Sequence, residues 1–187
     1  LYSSAASDVY KRQVYNMINK AYGKFEFETN IKLIQLVFHF FEGDKKQKCF
    51  NIGSDKDTLD LIDTYMKSEV RKKMDEGDYV VHYYGGKQVY NRIDKTNCKP
   101  KTTIYNLDIL HWMAEVYCTL QWTYCIYSKD IDSFLPARDL YAKYEAMKDL
   151  PMEDCCKQLY ETVLADKDLQ NTPPYNGIDI EEIEYDN

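Results

Sequence analysis

The spacing of hydrophobic and polar positions changes several times along the chain. Residues 24–30 alternate, Phe25 and Phe27 against Glu26 and Glu28, which is the two-residue period of a half-buried strand. Residues 31–41 are dense in Ile, Leu, Val and Phe. That run suits a central strand, with a buried helix as the alternative. Gly43-Asp44-Lys45-Lys46 is a polar turn and 48–52 a returning strand, so a β-hairpin joins them. Ahead of these, 14–22 is a short helical segment ended by Gly23.

Ser54 to Asp57 has the Ser-x-x-acid form of a helix start. Leu59, Ile62, Met66 and Val70 follow at helical spacing opposite a charged face. This predicts an amphipathic helix over about 55–76. Its end, Arg71-Lys72-Lys73 before Gly77, suits the negative end of the helix dipole. Residues 79–84 (YVVHYY) are β-rich, Gly85-Gly86 reads as a hairpin turn, and 87–93 (KQVYNRI) alternates as a returning strand.

The second half turns helical. Asn106 or Asp108 can cap a helix through Tyr127, with Leu110, Trp112, Met113, Val116, Leu120, Trp122 and Ile126 nearly all round it. Asp108, His111, Glu115, Thr119 and Thr123 form one narrow polar stripe. Ionisable groups are expensive in lipid, so a core helix with one edge at the surface is expected rather than a membrane span. After a short turn at 129–135, Pro136 opens a helix to about 148 and Pro151 another to about 165. The expected class is α+β: an N-terminal antiparallel sheet with one amphipathic helix, and a C-terminal helical subdomain around the aromatic helix.

Composition refines this picture. The chain has 187 residues, enough for one cored domain. Aromatic residues make up 14%, mostly eighteen tyrosines. Tyrosine joins an apolar ring to a polar tip and serves binding surfaces as well as cores. Residues 1–13 (LYSSAASDVYKRQ) have no periodicity and resemble translated sequencing-adapter DNA of a metagenomic assembly. The expected domain is therefore 14–166, followed by a linker and acidic tail over 167–187. The net charge of −7 is concentrated at that end, since 175–187 hold Asp179, Glu181, Glu182, Glu184 and Asp186 and no base. The six cysteines form no CxxC pair. With no secretory signal visible, they read as reduced thiols in a cytosol. No metal site and no cofactor are expected.

Three places could carry chemistry. In YVVHYYGG, His82 among tyrosines resembles the opening strand of ADP-ribosyltransferase folds, which implies a nucleotide-acting enzyme. His111 and Glu115 lie one helical turn apart, within reach for acid–base work. Residues 87–101 hold Lys87, Arg92, Lys95, Lys99 and Lys101 with Tyr90 nearby. That basic stretch is the footing for a nucleic-acid-associated regulator, a partner not expected for a chain of negative net charge.

The stretch 107–159 resembles small proteins of gut Clostridia and related Firmicutes. The resemblance rests on Trp112, Tyr117, Tyr124, Ser128-Lys129-Asp130-Ile131, Pro136-Ala137 and Leu140-Tyr141. Glu145 stands where that pattern has a histidine. Such proteins sit in toxin–antitoxin-like or phage-conflict cassettes. The resemblance implies a non-enzymatic, protein-binding inhibitor or antitoxin-like regulator whose partner is encoded nearby or is a host defence protein. Tyr79, Tyr83, Tyr84 and Tyr90 are the expected contacts, with Asp179, Glu181, Glu182 and Glu184 of the acidic stretch.

Overall fold

The computed structural model describes residues 23–43, 56–93 and 101–171, and they are helical almost throughout. Helix α1 covers 23–42. It is followed by α2 (Thr58–Met66), α3 (Glu69–Asp75), a 3-10 turn (Tyr79–Tyr83) and α4 (Gly86–Ile93). The second half comprises α5 (Leu107–Tyr124), α6 (Ser128–Phe134), α7 (Ala137–Met147) and α8 (Met152–Leu159), which runs into a π turn at Tyr160–Leu164.

The expected α+β class is therefore wrong, and no sheet exists among the described residues. An isolated antiparallel bridge joins Ile126 to Asn171. In α1 the buried apolar positions are Ile34, Val37, Phe38 and Phe41, the i, i+3, i+4, i+7 pattern of a helix. Cutting the segment at Asn30 hid that pattern, and Phe25, expected on an inner strand face, is exposed. In α4 the buried Val89 and Ile93 are four apart, a spacing that a strand and a helix share. Gly85-Gly86 opens α4 instead of a hairpin. A Cβ at Gly86 would meet Phe40 Cβ at 2.3 Å, so glycine is what lets α4 lie on α1. The expected returning strand at 48–52 lies outside the described residues.

The expected helix over 55–76 is two helices, broken at Lys67-Ser68. Asp57 caps α2, accepting from the Leu59 and Asp60 amides, and Ser68 caps α3 by accepting from the Arg71 amide at 3.2 Å. The break turns Arg71 inward. It was expected at a solvated basic end, yet only 1% of it is exposed. Its Nε donates to Ser128 Oγ at 2.7 Å and lies 3.2 Å from Asp75 Oδ1. Ser128 Oγ in turn donates to Asp75 Oδ1, and the Ser128 amide donates to Asp75 Oδ2, both at 2.8 Å.

Those contacts solve a problem at two helix starts. Neither α6 nor α7 has a side-chain cap from its own sequence, because Tyr127 and Pro136 occupy the cap positions. The first amides of a helix need acceptors. Asp75 of α3 provides one at Ser128, and Asp63 of α2 another at the Ala137 amide, 2.7 Å away. Aromatic α5 packs against α6, α7 and α8, and Leu110, Met113, Val116, Tyr117 and Leu120 are fully buried. Its expected role as a buried organiser holds. The polar stripe is solvated only at its ends, since Asp108 and Thr123 are exposed and Thr119 is buried. Alongside it lies α1, Phe27 against Trp122 with centroids 5.3 Å apart and Gln35 donating to the His111 carbonyl.

Replacing Asp75 with Ala leaves the buried Arg71 cation without its carboxylate and should destabilise by about 3–5 kcal/mol. Ser128→Ala should cost about 1–3 kcal/mol. Denaturant titration measures both. Cys125 ends α5 in a left-handed conformation, φ 49°, so Cys125→Gly should stabilise by roughly 1 kcal/mol, seen as a raised melting temperature.

Candidate binding surface around the 3-10 turn

The segment YVVHYY forms a turn because Asp78 accepts from the Val80 amide at 2.9 Å and the Tyr84 amide closes onto the Val81 carbonyl at 3.0 Å. A 3-10 turn has three residues per turn, so positions i and i+3 eclipse one another. Val81 and Tyr84 form one such column and point inward. Val80 and Tyr83 form another and point outward, 59% and 84% exposed.

The inward column completes an apolar junction. Val81 and Tyr84 meet Leu33 and Val37 of α1 and Val70 and Met74 of α3 around a cavity of about 10 Å³. That is room for one water at most, far below the hundreds of cubic ångströms of a small-molecule pocket. Arg92 of α4 lies over the Tyr84 ring, 3.9 Å from its centroid, a cation–π contact that pins both groups. Tyr90 packs on Phe40 and Phe41, with centroids 6.0 and 6.5 Å apart. Leu36, 59% exposed, has its carbonyl 3.2 Å from where a Gly86 Cβ would stand. The outward column is thus carried on a fixed base.

The residues expected at a site fare differently. Tyr83 is exposed on the outward column, while Tyr84 and Tyr90 are half-buried and hold the fold. Tyr79 and His82 belong to the turn by backbone, not to a strand. That removes the opening strand on which the ADP-ribosyltransferase resemblance depended. Asp179, Glu181, Glu182 and Glu184 lie outside the described residues. His111 stacks on His39 of α1, centroids 5.9 Å apart, instead of bonding to Glu115. Of the basic stretch, Lys101 is occupied by the buried carboxylate of Glu42 at 3.1 Å.

Three polar clusters escaped the sequence reading. Glu42 accepts from Thr58 Oγ1 at 2.7 Å and the Tyr105 amide at 3.1 Å, besides Lys101. Asp57 accepts from the Tyr105 hydroxyl at 3.0 Å and faces Arg138 at 3.5 Å. Each carboxylate is filled by donors from other elements and acts as a latch. Asp132 is the third. Its side chain is 0% exposed, with Lys67 Nζ 2.6 Å away. Burial and the neighbouring Asp63 outweigh Lys67 and push its pKa up to about 8. Cys118 and Cys156 are likewise pushed up to about 12, first by burial, which keeps them as thiols and poor nucleophiles. Among the described residues no group of three or more His, Cys, Asp or Glu could hold a metal ion, and no helix is long and apolar enough to cross a membrane. No protein-family model, curated protein or solved structure matches this chain.

Two of these groups set opposite limbs of a stability profile. Burial, then the adjacent His39, lower the His111 pKa below 6.5. The unfolded chain therefore takes up that proton first, and stability should fall as pH drops below about 6.5. Asp132 stays protonated in the fold up to about 8 but ionises near 3.8 when unfolded. Its contribution is complete below about 3.9 and lost as pH rises towards 8. Urea titrations across pH should show His111→Gln flattening the acid limb and Asp132→Asn the limb towards pH 8.

Proposed function

We propose that this protein is a non-enzymatic binding module that engages another protein through Val80 and Tyr83, as an inhibitor or antitoxin-like regulator in a bacterial or phage conflict system. The observation that carries the binding role is the outward column itself. Two large apolar side chains stand 59% and 84% exposed on a turn whose other column is fixed in the core. Anchors held rigid before contact lose little freedom on binding, and tyrosine, the type of Tyr83, is one of the residues enriched at interface hot spots. The conflict-system role rests on the resemblance of residues 107–159.

The other readings fare worse on the same residues. The ADP-ribosyltransferase resemblance needs His82 on a strand, and Tyr79–Tyr83 is a 3-10 turn. A nucleic-acid regulator needs a basic footprint, and Lys101 of the stretch 87–101 is paired with Glu42.

The test is co-expression with the product of the adjacent gene. Tyr83→Ala and Val80→Asp should each weaken capture on the order of tenfold or more. Both positions are exposed, so melting temperature should stay close to the parent's. Leu150→Ala, at a separate exposed site, serves as the control and should leave capture unchanged. Capture that is indifferent to Tyr83→Ala sinks the reading.

A further inference from the structure

Uncommon features converge where α5 meets α8. Tyr124, the last residue of α5, and Tyr160, the first of the π turn, stack with centroids 3.8 Å apart and planes 2° from parallel. The backbone is out of the ordinary beside both rings. Cys125 closes α5 in a left-handed conformation, φ 49°, uncommon outside glycine. A π turn is rare and often marks a functional position. Cys156 holds α8 on α5, its Sγ donating to the Val116 carbonyl at 3.8 Å. The stack is a poor choice for two neutral rings, whose quadrupoles favour edge-to-face or offset packing. Tyr105 and Tyr141 pack edge to face, 72° apart with centroids at 5.2 Å. Loss of one electron reverses that preference, because a stacked pair shares the resulting charge over both rings.

We propose that Tyr124 and Tyr160 form an oxidative modification site, which a one-electron oxidant of the haem-peroxidase class, fuelled by hydrogen peroxide, converts to an intrachain dityrosine. The proposal is independent of the binding surface at the 3-10 turn. Each phenol gives the oxidant one electron and one proton, which leaves two phenoxyl radicals. Their unpaired electrons reside partly on the ring carbons next to the oxygen-bearing carbon. One such carbon of each ring forms the new C–C bond. The hydrogens on those two carbons then move to the oxygens and restore both phenols. One hydrogen peroxide takes up the two electrons and two protons and leaves as two waters. The stack brings the reacting carbons together, since its ring faces meet at van der Waals contact, about 3.5–4.0 Å between carbons. Burial, then Cys156, Glu161 and Tyr160, raise the Tyr124 pKa, so that ring enters the reaction as a phenol. Both rings are half-buried and neither is sealed from solvent. Tyr105, by contrast, is buried with its hydroxyl bonded to Asp57.

Treatment of the full chain in dilute solution with a haem peroxidase and equimolar hydrogen peroxide tests this, read by dityrosine fluorescence and peptide mass mapping. The tryptic peptide 158–167 contains Tyr160 as its single tyrosine, so the cross-link can be located. The expected product is monomeric, two hydrogens lighter, and joins that peptide to Tyr124. Tyr124→Phe and Tyr160→Phe keep the ring and should each abolish it. Unfolding in urea before oxidation should abolish the selectivity for this pair. Tyr83, 84% exposed, supplies the comparison for oxidation governed by exposure alone. Dityrosine formed mainly at Tyr83 or between two copies overturns the proposal, as does oxidation of Cys125 without dityrosine, or no reaction at this pair. A Tyr124–Tyr160 preference that persists in urea, or an intrachain yield unchanged in Tyr160→Phe, overturns it too. The map of the parent chain decides even where a variant folds poorly.

Discussion

Two aspartates hold this architecture together by serving helices other than their own. Helices α6 and α7 start at Tyr127 and Pro136, residues with no side-chain acceptor for the first amides. Asp75 and Asp63 arrive from α3 and α2 to fill that need. The arrangement makes each helix start depend on tertiary contact. Neither start is complete as a local peptide, so α2–α3 and α6–α7 should form cooperatively. The Arg71 guanidinium ties the first of these links to Ser128. Burying that cation is tolerable only because Asp75 and Ser128 surround it. Burial, the largest influence, opposes its charge, but Asp75, Tyr65 and Cys118 together outweigh it and hold Arg71 protonated.

From that base the rest of the molecule is positioned by aromatic packing. Helix α5 rests on α6, α7 and α8. The Tyr117 hydroxyl donates to the Leu135 carbonyl at 2.9 Å, which fixes the loop between α6 and α7. On its other flank α5 receives α1, whose far face carries the 3-10 turn and α4. The exposed column is therefore two layers removed from the aspartate links, yet its orientation depends on them through α3. Val70 and Met74 of α3 line the same junction as Val81 and Tyr84.

The second half of this fold was legible and much of the first was not, for physical reasons. In α5, α7 and α8 long apolar spacing and proline starts agree with one another. In α1 a short Phe-Glu alternation at 25–28 imitated a strand, and it masked the 34, 37, 38, 41 stripe that continues from it. In 79–84 a β-rich composition was read as geometry. Yet Val80/Tyr83 and Val81/Tyr84 already carry a three-residue repeat. Tyr83 was therefore singled out for its residue type, while the exposed Val80 and Leu36, ordinary aliphatics in sequence, drew no notice. Arg71 was hidden because a run of three bases looks solvated, and only the break at Ser68 turns the first of them inward. The Glu42 and Asp57 latches reach Tyr105 across 63 and 48 positions, beyond any local pattern.

The eclipsed columns of the 3-10 turn also bear on how such a protein can change over time. Val81 and Tyr84 answer to the core, while Val80 and Tyr83 answer only to what lies outside. Substitutions at 80 and 83 can thus redraw the surface while leaving folding nearly untouched. A one-residue insertion or deletion between 78 and 85 is another matter. Each residue of a 3-10 turn advances about a third of a revolution, so a single slip carries the outward pair off the surface and breaks the seal on α1. Change at this turn is open to point substitution and closed to length variation, which is a strong filter on the sequences that can share its architecture.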